Sequence, residues 1–122
     1  MEIDMYKEHI IELCKHPLNY GNLEGATNEH RSFNPLCGDD ITIQFVIKDG
    51  RITDVKFKGN GCAISMASAS LLTDSVKGKT VEEVKKMKKE DLLELLQIPI
   101  GPVRLKCALI SLEAAQEAIK SC

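Results

Sequence analysis

Three of the five cysteines in this chain, Cys37, Cys62 and Cys107, stand where irregular backbone gives way to a regular element. The first lies in "NPLCGDD", Asn34 to Asp40, where a soft thiol and a hard carboxylate, Cys37 and Asp39, are separated by one glycine. In an extended segment residues i and i+2 point the same way, and Gly38 removes the side chain that would obstruct them, so both can reach one ion. Cys62 follows "GNG" at the head of a helical pattern, and Cys107 is expected at the start of the last helix. A helix N-terminus favours the thiolate, the form that binds metal and attacks sulfur. Three thiols and a carboxylate make a tetrahedral count suited to zinc or to the outer valences of an iron–sulfur cluster. The plainer alternative is that each cysteine is a small buried hydrophobe. None of the pairs is Cys-x-x-Cys, so no zinc-knuckle or thioredoxin pattern decides between them.

The elements that must hold these residues are legible in outline. Residues 3–15 carry Ile3, Tyr6, Ile10 and Leu13 near one face of a helix that His16-Pro17 ends. A Gly- and Asn-rich loop, "LNYGNLEGATNEH", follows, and a further strand around Ala26–Phe33 stays open. Ile41, Ile43, Phe45 and Ile47 alternate along a strand, "KDGR" is a hairpin turn, and "ITDVKFKG" returns with Val55 and Phe57 inward. Ile52 is out of phase with them, which predicts a bulge or a late start. Ile64, Ala67, Leu71 and Ser75 then form a helical stripe stopped at Gly78. Thr80 and Glu83 make a capping box for a short helix to about Lys88, and "EDLLELLQ" is helical before Pro99. A terminal helix runs from about Lys106 to Lys120. The order implies an α+β plan, with helices covering one face of a small antiparallel sheet.

At 122 residues the chain is one domain, residues 1–122. Its 43% hydrophobic and 28% charged composition is that of a soluble globular protein, and a net charge of -2 argues against a dedicated nucleic-acid partner. No apolar run approaches the roughly 18 residues that span a bilayer, and the first residues lack a signal pattern, so no membrane association and a cytoplasmic location are expected. An odd number of cysteines in a reducing compartment points to thiols and ligands rather than staples.

"NPLCGDD", "GNGCAISMASASLL" and "VRLKCALISLEAAQEAI" together resemble the three cysteine motifs of the IscU/NifU-N-type iron–sulfur cluster assembly scaffolds, in the same order and at matching separations. The likeness runs from "HPLNYGNL" nearly to the C-terminus. It implies an antiparallel three-stranded sheet with packed helices, and a site built from Cys37, Asp39, Cys62 and Cys107. It further implies sulfur delivered as persulfide by a pyridoxal-phosphate cysteine desulfurase, a [2Fe-2S] cluster or Zn2+ at the same ligands, and cluster transfer to acceptor proteins. Such a scaffold is not an enzyme. Lys106 stands where IscU proteins have histidine and resembles the SufU branch, whose members act with zinc as sulfur acceptors, whereas the separation of Cys62 and Cys107 resembles the uninserted IscU length. "IGPVR", Ile100 to Arg104, resembles the chaperone-recognition motif of IscU proteins without matching it, so an Hsp70-type chaperone joins the implied partners, with a homodimer or higher oligomer on cluster loading.

Within that frame a carboxylate makes a weaker, more exchangeable bond to cluster iron than a thiolate, so Asp39 is the releasing corner. Cys107, beside the Lys106 ammonium, is the expected first persulfide acceptor and Cys37 the second. Cys14 is read as packing and Cys122 as exposed. His9, His16 and His30 are read as surface residues, and the lysines from Lys77 to Lys89 as a solvated face. A zinc deaminase would need a His-x-Glu motif and a Pro-Cys-x-x-Cys pair, and neither is present.

Overall fold

The computed structural model describes residues 2–35 and 38–122. Helix α1, Glu2–Lys15, is followed by the strands β1, Asn28–Asn34, β2, Asp39–Lys48, and β3, Arg51–Asn60, and then by α2, Ala63–Val76. Helices α3, Val81–Lys85, α4, Lys89–Leu96, and α5, Pro102–Ala118, complete the chain. The strands form one antiparallel sheet in the order β1-β2-β3, so the strand left open around Ala26–Phe33 exists as β1. Helix α5 covers β1 and β2, α2 lies on β3 and against α5, and α1 packs on α2. This is the α+β plan read from the element order.

Period-two patterning fixes which face the helices cover. Ile41, Ile43 and Phe45 of β2 and Val55 and Phe57 of β3 are fully buried, in one cluster with Met66, Leu72, Ile110 and Ala114. Asp49 and Gly50, at φ of 52° and 75°, form the tight β2–β3 turn, where two left-handed residues match the strand twist. The register slips between Val46 and Ile47, which pair with Asp54 and Ile52, leaving Thr53 as the extra residue. That bulge brings the out-of-phase Ile52 into the core, where it is fully buried.

The outer edge of β3 is closed by two segments that are not strands. Phe57 donates to the Asn19 carbonyl and accepts from Gly21, while Ile52 donates to the Lys79 carbonyl and accepts from Gly78, all at 2.9 Å. Pairing the edge in this way removes a template for aggregation, and it gives the Gly- and Asn-rich loop a structural task.

Two helices depart from the sequence reading. Helix α2 is buried almost all round rather than along a stripe, because Ser65, Ala67, Ser68, Ala69 and Ser70 are small enough to admit neighbours on several sides. Helix α5 begins at Pro102, not near Lys106. Proline at the first helical position costs nothing, since its missing N–H would be unbonded there, so "GPVR" is a helix start rather than a loop.

The Thr80 capping box is present, with the hydroxyl accepting from the Glu83 N–H and the Glu83 carboxylate accepting from the Thr80 N–H. Thr80→Ala is expected to cost about 1 kcal/mol in urea unfolding, with an unchanged m-value. A midpoint identical to that of the parent chain would show the cap to be idle.

Candidate metal centre

Strand β2 begins with two aspartates that alternation sends to opposite faces. Asp40 turns outward, where both of its oxygens accept from the Arg31 guanidinium at 2.7 Å. Hydrogen bonding from Arg31, with its charge adding a smaller share, holds the Asp40 carboxyl below its ordinary value. Arg31 also lies 5.6 Å over the Phe33 ring. Asp40 is thus engaged on the solvent side.

Asp39 turns inward and prolongs the buried row of Ile41, Ile43 and Phe45. It is fully buried, and a carboxylate taken out of water needs donors. The Cys62 N–H donates to Oδ1 at 2.9 Å and the Ser65 hydroxyl to Oδ2 at 2.7 Å. Both donors belong to the first turn of α2, whose N-cap is Cys62. The Cys62 side chain makes no capping bond, and the strand carboxylate sits instead against the N-terminus of this helix, where the helix dipole favours a negative charge.

The corner between β3 and α2 must be tight for this contact. A Cβ on Gly59 would fall 1.9 Å from the Asp40 carbonyl oxygen, and Gly59 has φ of +123°. A Cβ on Gly61 would lie 2.9 Å from Asp39 Oδ1 and 2.8 Å from Ser65 Cβ. The two glycines of "GNG" therefore let the helix start approach the head of β2.

Cys107 reaches the same place from α5. The ligand atoms of Asp39, Cys62 and Cys107 all lie within 4.8 Å of one another, with Asp39 and Cys107 buried and Cys62 half-buried. Two thiolates on one zinc, each at about 2.3 Å, stand roughly 3.8 Å apart, so small side-chain movements would close this set on an ion. Cys37 lies outside the described residues. Gly38, with φ of +71°, is left-handed rather than extended, and its N–H closes the β1–β2 turn on the Asn34 carbonyl at 2.8 Å. The extended i, i+2 argument therefore does not describe how Asp39 is aimed. Its place at the head of β2 does that.

The expectation that Cys107 enjoys a helix N-terminus is corrected. With α5 starting at Pro102, Cys107 sits in the second turn, and of the two candidate ligand cysteines among the described residues Cys62 alone is at a helix N-terminus. Lys106 is exposed and lines a cleft with Phe33, Pro35, Leu109 and Glu113. Cys14 is half-buried against the main core and Cys122 is exposed, as read. His9 and His16 are exposed and His30 is half-buried. Alkylation should follow the same order: iodoacetamide is expected to modify Cys122 first, Cys62 next, and Cys107, only 4% exposed, at least about tenfold more slowly. Peptide mapping over time would check this, and Cys107 reacting as fast as Cys122 would contradict the burial.

Sequence reasoning missed Ser65. Its hydroxyl touches Asp39, lies 3.5 Å from Cys62 Sγ and reaches the Cys107 carbonyl oxygen at 3.2 Å. Its position three residues after an N-cap is the only signal for it in the sequence, and serine there is too common to be noticed.

The chain matches the family model described as NifU-like N terminal domain over residues 5–122. It is 35% identical over 118 residues to the iron-sulfur cluster assembly scaffold protein IscU of Escherichia coli K12, covering 93% of this chain and 91% of that protein. A scaffold protein of the same description from Archaeoglobus fulgidus is 35% identical over 115 residues, covering 94% and 74%. Among solved structures, an iron-sulfur cluster assembly scaffold protein for the SUF system from Fervidobacterium islandicum superposes with a TM-score of 0.80 at 27% identity, covering 98% of this chain and 99% of that one. The N-terminal NifU-like protein of Brucella abortus shares the fold, with a TM-score of 0.78 at 22% identity.

Proposed function

Since the chain belongs to the NifU-like N-terminal domain family, we propose that it is a scaffold on which iron–sulfur clusters are built and from which they pass to acceptor proteins. The observation that carries this reading is the convergence of Asp39, Cys62 and Cys107 from three different elements, with ligand atoms within 4.8 Å. Cys37, two residues before Asp39 in the sequence, is the fourth ligand in this proposal. The cargo is a [2Fe-2S] cluster, and Zn2+ occupies the same donors when iron and sulfide are absent. Sulfur arrives from a cysteine desulfurase as persulfide.

The donor set suits a carrier more than a permanent holder. Cys62 and Cys107 offer soft thiolates that match iron–sulfur chemistry, and Asp39 offers a harder, weaker donor that an incoming ligand displaces more readily. The head of β2, the N-cap of α2 and the second turn of α5 position the three, so the scaffold is formed before the cargo arrives. Anaerobic reconstitution with ferrous iron and sulfide tests the reading. Visible absorption of a bound cluster, and its passage to an apo-ferredoxin, are expected. A chain that stays colourless while holding zinc and stimulating a cysteine desulfurase would favour the second reading, a zinc-dependent sulfur acceptor, which Lys106 before Cys107 supports.

A further inference from the structure

We propose that Ser65 is a positioning residue for Asp39, fixing the carboxylate at the orientation from which it binds metal; this rests on the reading of Asp39, Cys62 and Cys107 as ligands. The Ser65 side chain is fully buried and touches a different atom of each of the three residues. Its hydroxyl has one proton to give, and its 2.7 Å contact with Asp39 Oδ2 is shorter than its 3.2 Å contact with the Cys107 carbonyl. The shorter contact is the stronger hydrogen bond, so the proton goes to Asp39. The Ser65 oxygen keeps its lone pairs for the Cys62 thiol at 3.5 Å.

A carboxylate offers about four acceptor positions, and the Cys62 N–H and Ser65 hydroxyl occupy one on each oxygen of Asp39. The others stay available to an ion. With one donor on each oxygen the carboxylate cannot turn about its own bond without losing both. Without Ser65, only the Cys62 contact remains among the described residues, and the buried Oδ2 loses its described donor. Gly61 leaves the space in which this pairing fits, since a Cβ there would collide with Ser65 Cβ and Asp39 Oδ1 alike. Partners of this kind, which bond a ligand rather than the metal, commonly govern metal affinity by about 10–100-fold.

The test is a competition titration of Zn2+ against a chromophoric chelator, with Co2+ absorption alongside, on the full chain and on Ser65→Ala, Asp39→Ala and the double variant. Ser65→Ala is expected to weaken Zn2+ binding about tenfold or more and to shift the Co2+ d–d bands toward those of Asp39→Ala, with the thiolate charge-transfer band retained. In the Asp39→Ala background the Ser65 substitution should cost nothing further. Ser65→Ala binding as tightly as the parent chain, or an equal penalty in both backgrounds, overturns the proposal. Unchanged Zn2+ affinity in Asp39→Ala would instead overturn the ligand reading itself. Should Ser65→Ala fail to fold, Ser65→Thr and Ser65→Val carry the comparison, being alike in shape and differing in the hydroxyl. The threonine variant is expected to bind Zn2+ about tenfold more tightly, and equal affinities would overturn the proposal.

Discussion

Asp39→Cys is expected to slow cluster transfer to an acceptor by tenfold or more while still allowing a cluster to form, as read by stopped-flow absorption during transfer to an apo-ferredoxin. Tenfold corresponds to about 1.4 kcal/mol added to the barrier for release. The expectation follows from donor chemistry: a fourth thiolate replaces the one ligand whose hardness mismatches a cluster iron, so the corner most open to exchange closes. It follows also from position. Asp39 is buried at the head of β2, and the substituted sulfur would start from the same rigid strand end that now aims the carboxylate. Transfer from a fully loaded Asp39→Cys chain at the parent rate would remove the argument that the carboxylate exists to let the cargo go.

How much of this was legible in the sequence depends on whether the information was local. The tight Asp49-Gly50 turn, the Thr80 capping box and the inward row of β2 are written in adjacent residues, and each is found where the sequence puts it. Even the bulge was visible, as a single apolar residue out of phase. Strand β1 was harder, because its burial alternates around polar residues, "NEHRSFN", with Ser32 its one buried position. The start of α5 was misjudged because two prolines near one glycine look like a loop, and only the register of the helix shows that Pro102 occupies its first turn. Within the centre, the thiols and Asp39 were legible because their residue types are chemically unusual together. Ser65 was not, since its role comes from contacts across 26 and 42 residues of chain that no local pattern encodes. The same holds for the fate of the two aspartates: alternation along a strand says that Asp39 and Asp40 face opposite ways, but the Arg31 fork and the covering helices decide which of them is left for an ion.

The second large effect concerns the thiols. Zn2+ buffered at a hundred times its dissociation constant stabilises a folded chain by about 2.7 kcal/mol, provided the unfolded chain does not bind it. For a domain of 122 residues this should raise the melting temperature by roughly 10 °C. Cys62→Ser and Cys107→Ser are each expected to reduce that rise to less than about 2 °C, and Cys37→Ser to do the same if its thiol completes the set. The quantity to compare is the shift between metal-free and metal-loaded chain, because Cys107 is buried against α1 and α2 residues and its replacement by a hydroxyl will lower the metal-free midpoint as well. Cys14→Ser and Cys122→Ser supply the contrast: Cys14 packs against the main core and Cys122 is exposed, so both should keep the full rise. A full rise in Cys62→Ser or Cys107→Ser would place the metal elsewhere in the molecule. The linkage has a functional corollary. An ion held by the heads of β2 and α2 and the second turn of α5 adds a further link between elements that already pack together, so loaded and empty chains should differ most in amide exchange at those segments, and least in the paired centre of the sheet.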